Sequence, residues 1–345
     1  MKPRILSATA ITWLASRGVT VRMRYALLTV ATAAAVALPV NGALADGPPG
    51  HFPTTSAIPA PIPAPTPART GVAERARLAA ARTEATAYQQ YNAYAAVSPD
   101  SRLATVWRTV ANVEYNDHWR SEVDALNYYS SENAPNLAIL RALALQAAAA
   151  DQARAATAPT AAARDTLRAV AAREADNAAL LGQAQSALAG NGPMPVVKPG
   201  QVIPLVVTPR PRYSGAFYEA LTNPSDSAFQ AAAWLRVGYS QAAMTAVSTG
   251  RPDLALLLTG LGAQEQAETI PTLLNLAGYV NGVRANLRAS IAGETEAIAM
   301  YSGYAKAAAR AGATSAAADF REYTADETGH RRTFQTELRR LGGLD

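Results

Sequence analysis

Apolar residues in this chain lie within long helix-forming stretches that only short polar breaks interrupt. Between about Val72 and Leu188 the breaks fall at 98–101 (Ser-Pro-Asp-Ser), near 133–135 and near 158–160. At these places proline and capping residues such as Asp and Ser stop one helix and start the next. The segment therefore predicts four helices of a length suited to helical hairpins.

A second helix-forming stretch begins near Asp226 and continues almost to the end of the sequence. Glycine and proline mark its breaks, because neither is tolerated well inside a helix. The predicted breaks are at 250–252 and around Pro271, followed by a helix over 283–310, a turn at 312–315 and a final helix that ends at Leu341.

Two proline-rich segments separate the helical regions. Residues 46–70 contain the run PAPIPAPTPA and no hydrophobic period, which predicts an extended, solvated linker. Residues 191–212 contain six prolines and short β-type runs such as 205–207, which predicts a linker or at most a small hairpin. Ala dominates the composition and aromatic residues make up only 7%, so the sequence predicts an all-α fold.

The first 45 residues have the features of a secretory signal peptide in the expected order. A basic start at Met23-Arg24 precedes an apolar stretch over 25–38, and Ala43-Leu44-Ala45 forms a small-residue cleavage site. As a helix, about 14 residues span roughly 21 Å, too short for a hydrocarbon core of about 30 Å. We therefore expect a cleaved signal and a protein that is secreted or held in the periplasm or cell envelope. An uncleaved anchor is the alternative.

The formal net charge of +5 comes from this leader. Five of the 31 Lys and Arg residues lie within 1–45, which has no acidic residue, so 26 basic residues remain against 26 acidic ones. No basic face is expected on the mature chain, and nucleic-acid binding is not predicted. The chain has no Cys, which excludes disulfides and thiolate metal ligands.

Two segments of the chain look like copies of one another. Glu84 is followed by Tyr91 at +7 and Tyr94 at +10, and Glu294 is followed by tyrosines at the same two spacings, Tyr301 and Tyr304. Seven residues are close to two helical turns, so each Glu and its first Tyr share a helix face about 10 Å apart.

Each copy precedes a second helix that carries another glutamate. Glu114 lies seven residues after a Trp, and Glu327 lies seven residues after a Phe. His330 follows Glu327 at i+3, which directs a carboxylate and an imidazole to one point. After Glu114 the matching position is ambiguous, because Asp117 lies at +3 and His118 at +4 and either can share its face.

Four helices that each present a glutamate, two with a nearby histidine, would form the core site of a di-iron or di-manganese bundle. Carboxylates suit high-valent iron or manganese, and imidazole fixes the geometry. Histidine is informative because the chain has only three, and the third, His51, lies in the proline-rich linker.

Residues 283–341 resemble the rubrerythrins, whose pattern is G-E-[ST]-x-A, then Y, then E-x-x-H. The residues that carry the resemblance are Gly293-Glu294-Thr295-Glu296-Ala297, Tyr301, Tyr304-Ala305, Gly312, Phe320 and Glu327-Thr328-Gly329-His330. The resemblance implies that Glu294, Glu327 and His330 are metal ligands and that Tyr301 contacts a ligand. The first copy matches the pattern less closely, because its E-x-x-H is replaced by Glu114-x-x-Asp117-His118.

Two features differ from the rubrerythrin pattern. A chain without Cys cannot carry a Cys-ligated rubredoxin module, and the two hairpins are far apart in the sequence.

The prediction is an all-α, ferritin-like bundle with a long, mainly helical insertion, although two tandem bundles are the alternative. The predicted parts are a signal peptide (1–45), a Pro/Ala-rich linker (46–70), a first hairpin (71–131), an insertion (132–284) with its own linker (191–212), and a second, rubrerythrin-like hairpin (285–345).

The expected function is redox chemistry with O2, peroxide or iron, by an exported di-metal carboxylate protein of the oxidase, ferroxidase or peroxidase type. Its cofactors would be two iron ions, or manganese, and a metal ion supplies an open coordination position for such chemistry. Whether the protein is an enzyme is left open, as is a homodimer, and no stable membrane insertion is expected after signal cleavage. The predicted metal ligands are Glu84, Glu114, His118, Glu294, Glu327 and His330, with Tyr91 and Tyr301 as the candidates for contact with the ligands.

Two alternatives accompany this prediction. The bundle could lack metal and serve a binding or structural role in the envelope, because a fold does not fix a function. Acidic residues elsewhere, Glu265 and Glu268 on one helix and Glu174 and Asp176 on another, are candidates for a second site. Solvated helix faces are the preferred interpretation of those four residues.

Overall fold

Helices form the secondary structure of this computed structural model, which describes residues 71–198 and 200–342. No β-strand occurs in those two ranges, so the all-α prediction is confirmed. The predicted signal peptide and the linker over 46–70 lie outside them. In chain order the helices are α1 (Val72–Val97), α2 (Ser101–Val113), the π-helical segment π1 (Glu114–Trp119), α3 (Arg120–Ala125), α4 (Asn133–Ala156), α5 (Ala161–Leu188), α6 (Gly215–Thr222), α7 (Ala228–Ser248), α8 (Pro252–Gln264), the π-helical segment π2 (Glu265–Thr269), α9 (Ile270–Ala277), α10 (Val283–Arg310) and α11 (Thr314–Arg340).

Short polar side chains fix several helix ends. The Asp100 carboxylate accepts a hydrogen bond from the Leu103 N–H (3.1 Å), which caps the start of α2. The Ser227 hydroxyl caps α7 in the same way by accepting from the Gln230 N–H (3.0 Å). At the C-terminal end of α9, Gly278 has a φ of 65°, a left-handed conformation that glycine adopts without strain.

Four helices from the two ends of the described chain pack together, and we call them the terminal bundle. They are α1, the continuous helix α2–π1–α3, α10 and α11. Alanines such as Ala80, Ala81 and Ala85 keep the buried face of α1 narrow, so its neighbours approach closely. Across the bundle, the Trp107 indole N–H donates to the Ser290 hydroxyl (3.1 Å), which joins α2 to α10. The two hairpins that the sequence keeps apart therefore share one core.

The insertion forms a second set of packed helices, which we call the inserted bundle. It consists of the α4–α5 hairpin packed against α7 and α8–π2–α9. Its core is mainly aliphatic and includes Leu140, Leu181, Leu235 and Leu258. α7 also packs against α1, so the inserted bundle lies directly beside the terminal bundle.

Two details differ from the sequence-based expectations. The helix is not interrupted around Pro271, because α8, π2 and α9 follow one another without a break and the π-helical segment changes the hydrogen-bond pattern just before the proline. The short helix α6 was not predicted. The segment predicted as a linker contains no hairpin in its described parts, 191–198 and 200–212, and the N–H groups of Ile203 and Thr208 donate to the carbonyls of Ala267 and Val280.

None of the described helices combines the length and the apolar character needed to cross a membrane.

Candidate metal centre

Each of the four long helices in the terminal bundle places one glutamate in the core. Glu84 lies on α1, Glu114 on π1, Glu294 on α10 and Glu327 on α11, and all four are 1–2% exposed. Buried carboxylates are costly unless they are paired or bind a metal. The structure therefore gathers the four predicted glutamates at one level of the bundle.

Two histidines complete this cluster, and its members fall into two overlapping groups. His118 belongs to the first group and His330 to the second, and within each group the potential ligand atoms all lie within 4.8 Å of one another. The first group is Glu84, Glu114, His118 and Glu327, and the second is Glu114, Glu294, Glu327 and His330. Glu114 and Glu327 belong to both groups, as bridging carboxylates of two adjacent metal ions would.

The two oxygens of each shared glutamate point toward different histidines. Glu114 places Oε2 3.0 Å from Nδ1 of His118 and Oε1 3.1 Å from Nδ1 of His330. Glu327 places Oε1 3.3 Å from Nδ1 of His118 and Oε2 3.1 Å from Nδ1 of His330. Each shared carboxylate therefore spans the two imidazoles, one from each hairpin.

Several of these close atoms form no hydrogen bond. Both oxygens of Glu114 and Nδ1 of His118 are buried without a hydrogen-bond partner, although they lie 3.0–3.1 Å from their neighbours. Such atoms usually have a partner in a folded protein. Carboxylates and imidazoles that converge at these distances are the donor set of an iron, manganese or zinc site. The residues present therefore fit a pair of metal ions.

The π-helical segment decides between Asp117 and His118. A π-helical turn contains one more residue than an α-helical turn, so it brings a residue at i+4 close to where i+3 lies in an α-helix. His118 is accordingly 0% exposed and faces Glu114, whereas Asp117 is exposed on the outside of π1. The apparently irregular Glu114…His118 spacing thus matches the Glu327…His330 spacing on the regular helix α11.

Tyrosines connect the two hairpins in a symmetrical way. The Tyr91 hydroxyl donates to Oε1 of Glu294 (2.5 Å), and the Tyr301 hydroxyl donates to Oε1 of Glu84. Each tyrosine therefore contacts the glutamate of the other hairpin and not the one seven residues before it. Burial and the charge of Glu294 raise the pKa of Tyr91 well above its usual value, so its hydroxyl keeps its proton.

The cluster shifts the pKa values of several of its members. Burial and neighbouring carboxylates raise the pKa values of Glu84 and Glu294 well above the usual range. Burial alone would raise the pKa of Glu327 as well, but the neighbouring Glu294, His118 and His330 lower it. Burial disfavours a charged His330, yet the neighbouring Glu114 and Glu327 raise its pKa to about 10.

One further side chain belongs to the site and was not found in the sequence. Oδ2 of Asp326 on α11 lies 3.4 Å from Nε2 of His118, on the far side of the ring from the shared glutamates. The Nε2–H donates to this carboxylate, which fixes the ring with Nδ1 toward the cluster. Asp326 directly precedes Glu327, but helix spacing alone gives no sign of a contact with the other hairpin.

The acidic residues of the insertion do not form solvated helix faces, so that interpretation was wrong for three of the four. Glu174, Glu265 and Glu268 are 1%, 0% and 4% exposed and lie in the core of the inserted bundle. Only Asp176 is exposed. Glu174 lies on α5, and Glu265 and Glu268 lie on π2. These two helices contact each other, since the Asn177 amide on α5 donates to Glu265 (3.2 Å).

These buried carboxyls are neutralised differently from those of the terminal bundle. Arg173 forms an ion pair with Glu268. Burial raises the pKa of Glu265 to about 7, opposed by a hydrogen bond with Glu174 and by the charges of Arg173 and Arg236. Within 71–198 and 200–342, the groups of acidic and histidine side chains compact enough for a metal ion are the two in the terminal bundle. In the inserted bundle, the buried carboxyls are instead paired with Arg173 or with each other, as Glu174 is with Glu265.

The all-α bundle, with four glutamates and two histidines in its core, resembles the ferritin-like carboxylate proteins, and the cluster is a potential di-metal site. Residues 285–343, the α10–α11 hairpin, match the family model for rubrerythrin. The resemblance predicted from this hairpin is therefore confirmed. Comparisons with curated proteins and with solved structures gave no match to the chain.

Proposed function

We propose that this protein is an exported di-metal carboxylate protein that binds two iron or manganese ions and acts in redox chemistry with O2, peroxide or iron(II). One observation carries the proposal: two groups of four potential ligands share Glu114 and Glu327. The rubrerythrin-type hairpin supports it independently, since it supplies three of the six side chains. Export rests on the leader, and an N-terminal residue other than Asp46 in secreted protein would contradict the proposed cleavage site.

Each side chain has a distinct part in this proposal. His118 would bind one ion together with Glu84, His330 would bind the other together with Glu294, and Glu114 and Glu327 would bridge them. When bound, such a metal pair would supply electrons to an oxygen substrate. The hydroxyls of Tyr91 and Tyr301 would hold Glu294 and Glu84 in place.

Metal binding should raise the melting temperature, because ions that bind only the folded state stabilise it by mass action. At about 100 times the dissociation constant of two equal sites, iron(II) or manganese(II) contributes about 5 kcal/mol, which corresponds to about 10 °C. Glu327→Ala and His330→Ala should abolish this rise. The control Glu322→Ala, at an exposed position on α11, should keep it. Metal analysis should give two ions per chain for the wild-type protein and for the control.

Redox activity is tested with the iron(II)-loaded protein under anaerobic conditions. Addition of peroxide or O2 should oxidise the bound iron faster than the same iron in buffer, and Glu327→Ala should remove the difference. A melting temperature that neither metal changes, in protein that binds no iron or manganese, would instead support a metal-free module.

A further inference from the structure

A cavity of about 220 Å3 reaches the carboxylate side of the candidate metal centre. It runs between α1 and α10, and its inner end is lined by the four glutamates of the cluster. The two histidines do not line it, so the carboxylates are the first ligands that an entering molecule meets. We call this space the carboxylate cavity. It is far larger than the 10–15 Å3 that a water molecule requires.

The carboxylate cavity is lined by acidic but not by basic side chains. Glu296 on α10 adds a fifth carboxylate to those of the cluster, and it is exposed to solvent. Of the described residues that line the cavity, none is Lys, Arg or His. The remaining walls are small or uncharged, with Ala87, Ala297 and Gln90 among them. A cleft lined by one sign of charge concentrates ions of the opposite sign and repels its own.

The inserted bundle contributes one side of the opening. Pro224 and Ser225, in the loop between α6 and α7, line the cavity and are exposed. The Thr86 hydroxyl on α1, which donates to the Arg82 carbonyl (3.0 Å), also lies 3.5 Å from the Pro224 carbonyl, so the loop contacts the terminal bundle at this point. The opening therefore depends on a segment that the rubrerythrin-type hairpin does not contain.

We propose that the carboxylate cavity is the path by which divalent cations enter the metal centre, with Glu296 attracting them at the opening and the 223–227 loop shaping its rim. The inference rests on the proposed function, because it presupposes that the centre binds metal. It adds Glu296 and the 223–227 loop, which would govern the rate of loading and not the number of ions bound. It also gives the insertion a role at the site.

The size of the effect follows from Coulomb's law. In water, a single negative charge raises the concentration of a divalent cation about 10 Å away about fourfold, and salt removes most of this attraction. Glu296→Gln should therefore slow loading about fourfold at low ionic strength and much less at high ionic strength. Ser225→Lys adds a positive charge to the opposite rim and should slow loading at least as much. Ala297→Phe narrows the path and should slow loading at every ionic strength.

The experiment mixes metal-free, full-length protein with cobalt(II) in a stopped-flow instrument and follows the visible absorbance of bound cobalt. Rates are measured at about 0.02 M and about 0.3 M salt, since the screening length falls severalfold between them. Two matched controls change the same charges elsewhere: Glu322→Gln on α11 and Ser248→Lys at the end of α7, both at exposed positions. Equilibrium titration gives the number of ions bound by each variant.

The proposal is supported if all variants bind as many ions as the wild-type protein, while only Glu296→Gln, Ser225→Lys and Ala297→Phe load slowly. Equal loading rates for the wild type and these three variants would overturn the entry path and leave the metal centre intact. Equal slowing by the two controls would also overturn it, because the effect would then reflect net charge alone. A wild-type protein that binds no cobalt, iron or manganese would overturn the proposed function as well.

Discussion

Asp326 holds the imidazole of His118 from the side opposite the metal centre, and its effect can be separated from that of the ligands. Loss of such an outer carboxylate typically weakens metal binding by about 10–100-fold. Asp326→Asn should therefore lower the affinity for manganese(II) or cobalt(II) by this factor while two ions still bind. Competition with a chelator measures the affinity. Asp117→Asn, which changes an exposed carboxylate next to His118, should have no effect, and equal affinities for both variants would contradict the role of Asp326.

The buried pair Glu174 and Glu265 should make the inserted bundle less stable as the pH rises. Burial and the charge of Glu265 raise the pKa of Glu174 well above its usual value, and that of Glu265 is about 7 against a usual 4.5. A raised pKa means that the folded protein holds the proton more tightly than the unfolded chain. This contribution to stability is therefore complete below about pH 4.5 and is lost as the pH rises through 7.

Glu174→Gln removes one of these titrating groups while keeping its shape. We expect the metal-free variant to match the wild-type free energy of unfolding at pH 5 and to exceed it at pH 8. Urea unfolding at the two pH values measures the difference. Asp176→Asn on the same helix, at an exposed position, serves as the control. A Glu174→Gln variant with the same pH dependence as the wild type would show that the pair does not share a proton.

At the scale of single elements, π1 compensates for one extra residue between Glu114 and His118. Deletion of Asp117 would leave these ligands three positions apart, the spacing found in α11. We expect π1 to relax to a regular α-helix, so that α3 keeps its orientation and two ions still bind. Deletion of Arg321 from the regular helix α11 should instead rotate Glu327 by about 100° relative to Phe320 and abolish metal binding. Metal analysis and melting temperatures of both deletion variants test this contrast.

The sequence predicted those features of the site that depend on spacing within one helix. Glu327 and His330 lie side by side as predicted, because a spacing of three directs two side chains of one helix to the same point. Contacts between helices leave no such interval, so the bond from His118 to Asp326 was missed. The π-helical segments depend on packing around a locally ordinary sequence, and for that reason the choice between Asp117 and His118 stayed open.

Burial of polar residues in the insertion was also not readable from the sequence. Charged residues such as Glu174 and Glu265 usually lie on a solvated helix face. Their burial depends on the helix packed against them, which the local sequence does not indicate. The helices themselves were largely predicted, because caps and Gly/Pro breaks act locally. Pro271 shows the limit of that reasoning, since a π-helical segment allows the helix to continue through a predicted break.

At the scale of the whole molecule, residues 191–214 separate, along the chain, the helices of each bundle into two parts. The part before it contains α1 to α5, and the part after it contains α6 to α11. Each part supplies three of the six proposed ligands. A protease site introduced after Gly192, which is exposed, should therefore give two fragments that remain associated and still bind two ions. Elution of the cleaved protein as two separate species in gel filtration would show that the covalent connection is needed.

The distribution of the ligands along the chain has a consequence for the timing of metal uptake. During synthesis the first three ligands emerge before the inserted bundle and the last three after it, and contacts between such distant segments form late in folding. If the six side chains bind metal as proposed, the complete site would exist only once the whole chain has folded. Affinity for divalent metals generally rises from manganese to copper, so the ions present where the chain folds would help to decide which metal it acquires.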